Sequence, residues 1–261
     1  MTTEMIIIAI FCYVDDQMRT ITKHPQAKLY PSELVTIGLL LALKGGHFRA
    51  FFRWLKRDYD GLFGGLPDRT RLLRALEAHS VWTQLFLAAP SLFTVGDSYP
   101  IELLFPIREG RSPKQVGKKG KDKGRWTIGG RWWVLLDTYG RIVVWYWRPL
   151  DHPDKDFNCF VRYRDGLTIT LTDLGFRDTD GVPANLKRCP KGTWNERMVV
   201  ASVFSMLTVV CQLKTIYHRV RDYIFMRLGL VAALFNTLDA LFHQLHPEHS
   251  QFKLSIAEFS L

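Results

Sequence analysis

The chain has 261 residues, enough for one large domain or two small ones, and its 47% hydrophobic and 13% aromatic content can bury a real core. A formal net charge of +10 and a pI near 9.5 favour a polyanionic partner, of which nucleic acid is the commonest; the plainer reading is charge for solubility. Cys12, Cys159, Cys189 and Cys211 are scattered without a CxxC pair. That argues against a zinc site or a disulfide framework and for reduced thiols in a cytoplasmic protein.

Residues 1 to about 90 read as helical. The apolar runs Met5–Val14 and Leu34–Leu43 are about half the roughly twenty residues a membrane span needs. The first also lacks the basic flank of a signal peptide. Both are expected as core-facing helix segments, with no membrane association. Pro31-Ser32-Glu33 suits a helix start, and Gly45-Gly46 a stop. His47 to Asp58 gathers Phe48, Phe51, Phe52 and Leu55 on one side, with Arg49, Arg53, Lys56 and Arg57 largely elsewhere. Pro67-Asp68 opens a further helix in which Arg69, Arg71 and Arg74 alternate around Leu72, Leu73 and Leu76. This is the pattern of a small helical module with basic faces that reads DNA; the alternative is a plain packing domain with solvated arginines.

After Pro90 the texture becomes mixed. Leu92–Val95 reads as a strand, and residues 108–125 as a Gly- and Lys-rich loop. Arg131–Leu136 and Arg141–Trp147 form a hairpin across Asp137-Thr138-Tyr139-Gly140. Asp154–Arg164 is a short helix, Leu167–Thr172 a buried strand, and helices follow over Thr193–Gln212 and Arg221–His243. The expected organisation is a helical DNA-binding domain over 1–90 and an α/β domain over 91–261.

Two apolar strands run into aspartates, Asp97 and Asp173, and a helix follows the second. Two Mg²⁺ ions about 4 Å apart can activate one oxygen and stabilise another in a phosphoryl displacement. Hard oxygen ligands suit them. Such a site takes one carboxylate from mid-sheet, one from an adjacent strand end, and a third from a helix packed on the sheet. Asp97 and Asp173, each expected at a strand end, fit the first two places. Taken singly each could equally be a turn or cap residue. Asp137 heads a turn and reads as structural.

At these residues a resemblance emerges. Asp97-Ser98-Tyr99-Pro100-Ile101 resembles the first motif of bacterial insertion-sequence transposases with a DDE site. Thr172-Asp173-Leu174-Gly175-Phe176 resembles the second. Trp194-x2-Arg197-x3-Ala201 resembles the third, tyrosine-x2-arginine-x3-glutamate, continued by Val203-Phe204-Ser205. Pro31–Val35 and the helices after it are similar to the family's N-terminal region, so the likeness runs from about residue 30 to 240. The resemblance implies a ribonuclease-H-like catalytic core, a mixed sheet flanked by helices, behind an all-helical N-terminal domain. It implies cut-and-paste transposition with Mg²⁺, or Mn²⁺ in its place, held by Asp97 and Asp173. It also implies a homodimer acting on terminal inverted repeats and target DNA, in a bacterial cytoplasm and at the nucleoid when bound to DNA.

The third motif departs from the family: Ala201 stands where the glutamate belongs, and Trp194 where the tyrosine belongs. Glu196 is a poor substitute, lying about 140° around the helix and roughly 7.5 Å along it from position 201. Thr193-x-x-Glu196 reads instead as a capping box. Val200, Val203, Phe204, Leu207 and Cys211 form an apolar stripe, and Arg197, Ala201, Ser205, Thr208 and Gln212 a more polar stripe beside it. The expected protein is therefore a transposase in an inactive form. Two origins of Ala201 stand open: a deliberate inactivation that traps a DNA complex, favoured by the intact remainder of the motifs, or a natural loss in a repurposed copy. A non-catalytic DNA-binding descendant is the main alternative, and a structure-selective nuclease or RNA-binding protein on the same core is a third.

Arg108, Arg111, Lys114, Lys118, Lys119, Lys121, Lys123 and Arg125 lie in one stretch with Gly110, Gly117, Gly120 and Gly124 between them. This reads as a clamp on the DNA backbone, the glycines allowing close approach to phosphates, or as a solvated loop. Trp126, Trp132 and Trp133 could stack on a base, although strand tryptophans are more often core. Lys187, Arg188 and Lys191 add a second basic patch, and Arg197 could hold a phosphate. His152 with Asp154 and Asp156 reads as a loop cap before a helix, with a metal or water site as the alternative.

Overall fold

In the computed structural model, which describes residues 1–113, 115–122, 124–177, 181–190, 196–214, 216–250 and 256–261, the N-terminal helices start and stop where their capping residues dictate. They are α1 (Thr3–Gln17), α2 (Pro31–Lys44), α3 (Phe48–Asp58) and α4 (Arg69–Ala78), followed by a 3-10 segment, Ser80–Phe86. At the start of α2 the Glu33 carboxylate reaches back to accept the Tyr30 N–H at 2.6 Å and also takes the Gly64 N–H at 3.1 Å. Gly45, at φ 70°, ends that helix. Asp68 caps α4 by accepting the N–H groups of Thr70 and Arg71 at 3.0 and 3.1 Å. On α3, Phe48, Phe51, Phe52 and Leu55 are buried while Arg49, Arg53, Lys56 and Arg57 are exposed, as the periodicity predicts.

The mixed unit, Leu87–Ser205 with Lys214–Val220, is built on β1 (Phe93–Leu104), β2 (Lys118–Asp122), β3 (Arg125–Leu136), β4 (Ile142–Pro149), β5 (Ile169–Thr172) and β6 (Leu186–Arg188). Helix α5 (Asn158–Arg162) joins β4 to β5, and α6 (Glu196–Val209) follows β6. Strand β3 pairs antiparallel with β1 along one side; along the other it pairs first with β2 and then with β4. Strand β1 runs parallel to β5, and β5 parallel to β6. The sheet is thus mixed and β1 is interior. Buried threonines fix the parallel pairing. Thr94 Oγ1 lies 2.9 Å from Thr168 Oγ1 and 3.2 Å from Thr170 Oγ1, and Asn185 donates to the Thr168 carbonyl at 3.2 Å. One face of the sheet packs a core of Trp133, Leu135, Phe157, Val161, Phe176 and Leu186, with the Trp133 and Phe157 rings stacked 5.8 Å apart.

Three features differ from the sequence expectation. Strand β1 does not stop at Val95 but runs to Leu104 through Pro100. The proline is tolerated because β5 pairs only with Phe93–Val95, so on that side no strand needs an N–H from Pro100. Further along the same side Glu102 exchanges bonds of 3.2 Å with Lys214 and Ile216. Within residues 108–125, Lys118–Asp122 is a strand rather than loop. Two of the stretch's glycines, Gly117 just before the strand and Gly120 within it, allow close packing: a Cβ on Gly117 would lie 2.8 Å from Gly129 Cα, and one on Gly120 2.6 Å from the Leu150 carbonyl oxygen. The third feature is β6, which carries Lys187 and Arg188 on the sheet edge.

Helix α7 (Arg221–Leu245) belongs to the helical unit, packing on α1, α2, α4 and Ser80–Phe86. That unit comprises Met1–Phe86, Met206–Leu213 and Arg221–Leu261. The chain therefore divides near the expected position 90, but its C-terminal segment groups with the N-terminal helices. By length and composition α7 could cross a membrane, yet 89% of its most apolar window is buried inside the protein. Buried Arg227 donates to the carbonyls of Leu41 and Ala42, and Gln212 donates to that of Lys44 at 3.4 Å. These bonds help satisfy the last turn of α2, where the Leu41 carbonyl also accepts the Gly45 N–H at 3.2 Å.

Candidate functional site

Asp97 lies in the middle of β1, opposite Val134 of β3, not at the strand end expected for it. Asp173 does follow the last residue of β5. The parallel register pairs Val95 with Leu171. Two residues further along, Asp97 stands on the same side of the sheet as Val95, while Asp173 follows β5 just beyond the paired residues. Neighbouring strands run about 4.8 Å apart. Tyr99, two residues after Asp97 and on the same side, stacks on Phe204 of α6 at 5.0 Å. Helix α6 therefore packs against the face of β1 that carries Asp97 and Tyr99.

Both aspartates are half-buried and held locally. Asp97 Oδ1 accepts the Ser98 N–H at 2.8 Å. Asp173 Oδ1 accepts the Gly175 N–H at 2.8 Å, capping a 3-10 turn anchored by fully buried Phe176. The cap reading and the ligand reading of Asp173 are thus compatible, since one oxygen makes that bond.

A third acid, Asp154, stands near Asp173, against the side of the sheet opposite Asp97. Its Oδ1 accepts the Ser98 hydroxyl at 2.6 Å and lies 3.6 Å from Arg131. Its Oδ2 is 3.5 Å from where a Gly175 Cβ would be, and Asp173 Oδ1 is 2.9 Å from that same point. Gly175 therefore leaves room for two carboxylates. In the sequence Asp154 belongs to the run His152-Pro153-Asp154-Lys155-Asp156, which reads first as a loop cap and alternatively as a metal or water site. His152 and Asp156 of that run pair with each other at 2.6 Å. Asp97, Asp154 and Asp173 do not bring three ligand atoms within 4.8 Å of one another, a spacing met among the described residues only by His246, Glu248 and His249. Asp137 is structural: its buried carboxylate accepts the N–H groups of Tyr139 and Arg141 at 2.9 Å and the Arg141 side chain at 2.7 Å.

On α6, Val200, Val203, Phe204 and Leu207 are buried, whereas Ala201, Ser202 and Ser205 are exposed. Ala201 lies one turn before Phe204, at the margin of the covering face and open to solvent. A longer side chain at position 201 would meet no steric bar from burial. The expected capping residue Thr193, with Trp194 and Lys191, lies outside the described residues, as do the side chains of Glu196 and Arg197.

The basic residues flank this face from two edges of the sheet. Lys118, Lys119 and Lys121 on β2 and Arg125 on β3 are exposed; Lys187 and Arg188 are exposed on β6, at the opposite edge. Arg188 pairs in register with Thr172, the residue before Asp173. Arg111 is exposed, while Lys114 and Lys123 lie outside the described residues. Lys119 sits 3.4 Å from Glu109 and 5.4 Å from the Trp126 ring centre; Arg125 sits 3.1 Å from Glu102. Of the three tryptophans, Trp132 and Trp133 are fully buried, leaving Trp126, 55% exposed, as the one open to stacking. No protein-family model matches the chain, and no curated protein matches it.

Proposed function

We propose that the chain is a DNA transposase of the insertion-sequence kind, with a ribonuclease-H-like core in the mixed unit and a site disabled at Ala201. The observation that supports this reading is the parallel β1–β5 pairing, which has Asp97 on one strand and Asp173 directly after the other, with α6 packed against Tyr99 on the Asp97 side. A mid-sheet carboxylate, a second at the end of the adjacent strand and a covering helix form the arrangement that phosphoryl transfer with two metal ions needs. The basic edges on β2 and β6 suit a polyanion lying across the same face.

The donor set fits Mg²⁺ in kind, since Asp97 and Asp173 offer hard carboxylate oxygens that are half-exposed and fixed by backbone N–H groups. Bound there, Mg²⁺ would polarise the phosphoryl oxygens and help form the nucleophile. The chain's own residues orient and hold. Ser98 and Arg131 fix Asp154 near Asp173. The exposed lysines of β2, with Arg125, Lys187 and Arg188, hold the phosphate backbone, and Arg111 extends that surface. Ala201 contributes a methyl group where the third carboxylate would complete the set, so this chain binds DNA ends and does not cut them.

A non-catalytic DNA-binding role is the second reading, and the solvent-exposed methyl of Ala201 favours it. Equilibrium binding of the full chain to three probes tests the shared claim. The probes are a duplex carrying the element's terminal inverted repeat, a random duplex and a hairpin RNA. The repeat duplex should bind tightest; equal binding to all three, or preference for the RNA, would overturn it.

A further inference from the structure

We propose that His246, Glu248 and His249, just beyond α7, form a binding site for a divalent transition-metal ion of the Zn²⁺ class. One ligand atom from each of the three lies within 4.8 Å of the others. His246 Nδ1 is 3.4 Å from Glu248 Oε1, and His249 Nε2 is 3.9 Å from the same oxygen. Around tetrahedral zinc, with bonds near 2.1 Å, ligand atoms stand about 3.3 Å apart. The first pair already has that spacing, and a small rotation of His249 supplies the second.

The remaining ring nitrogen of His246 carries an independent sign of a metal site. Nε2 lies 3.2 Å from both carboxylate oxygens of Glu258. A carboxylate on the far nitrogen holds the proton there and turns the Nδ1 lone pair toward the ion, the usual support for a metal-bound histidine. The rings are also fixed by packing. Buried Phe242 of α7 lies 4.8 Å from His246 and stacks on His249 at 5.6 Å.

Two imidazoles and one carboxylate select Zn²⁺, Co²⁺ or Ni²⁺ over Mg²⁺, which prefers oxygen alone. This site is therefore distinct in place and in chemistry from the one at Asp97 and Asp173. Three protein ligands leave a fourth position for water, and the half-exposed rings give the ion a way in. The ion would fasten the turn after α7 and, through Glu258, the segment Ile256–Phe259, whose Ile256 and Phe259 are buried.

Titration of the full, tag-free chain with Co²⁺ near neutral pH, read by visible absorption, tests the proposal. Intense bands of tetrahedral cobalt should saturate at one equivalent and vanish on adding Zn²⁺. The H246A and H249A chains should lose the bands. E258Q should keep the band shape and bind about ten- to a hundredfold more weakly. Circular dichroism on each variant separates lost binding from lost folding. Absence of bands in the unaltered chain would overturn the site, as would bands that persist undiminished in a folded H246A/H249A chain.

Discussion

Arg227 shows how a single buried charge can hold a helix end. Burial lowers its guanidinium pKa to about 10, so it stays protonated at neutral pH, and its N–H groups meet the last carbonyls of α2. Removing it takes charged donors from the buried Ala42 and Leu41 carbonyls, leaving Leu41 with only the Gly45 N–H. R227M should lower the free energy of unfolding by about 2–4 kcal/mol, measured by chemical denaturation. Near it, burial pushes the Cys211 thiol from 9.0 up to about 12. A thiol that ionises later when folded contributes stability that is full below pH 9.0 and is lost as the pH rises toward 12. The stability of the unaltered chain relative to C211A should therefore fall over that window, and a pH-independent difference would contradict the burial. Thiol labelling gives a second check: exposed Cys12 and Cys159 should react quickly, while buried Cys189 and Cys211 stay protected until unfolding.

Among the elements, the edge strands carry the basic surface. If Lys118, Lys119 and Lys121 each contact a phosphate, replacing all three by alanine should flatten the slope of log affinity against log salt by about 2–3. An unchanged slope would remove β2 from the DNA-binding surface. Local chemistry made much of the element layout readable in advance. Pro31 with Glu33, Asp68, and the Asp137 turn are contacts within a few residues, and each behaves as its sequence implies. What was not readable depends on distant partners. Pro100 looks like a strand breaker until the unpaired side of β1 is known. Gly117 and Gly120 look like loop residues until Gly129 and Leu150 are seen against them. Asp154 looks like a cap until Ser98 and Gly175 bring it beside Asp173.

At the scale of the whole molecule, the chain is not two consecutive domains. Its last forty or so residues return to the helical unit, which α7 fills with a buried apolar helix. Truncation before Arg221 should therefore destabilise the N-terminal helices, seen as loss of their cooperative thermal transition. In the mixed unit, everything proposed for the site converges on one gap at position 201. The most direct measurement is cleavage of supercoiled DNA carrying both terminal repeats, in Mg²⁺, by the unaltered chain, by A201E and by A201E/D97N. The account predicts nicking or cutting by A201E alone. Equal activity in the unaltered chain and A201E would contradict it, as would an A201E chain that binds the ends and leaves them intact.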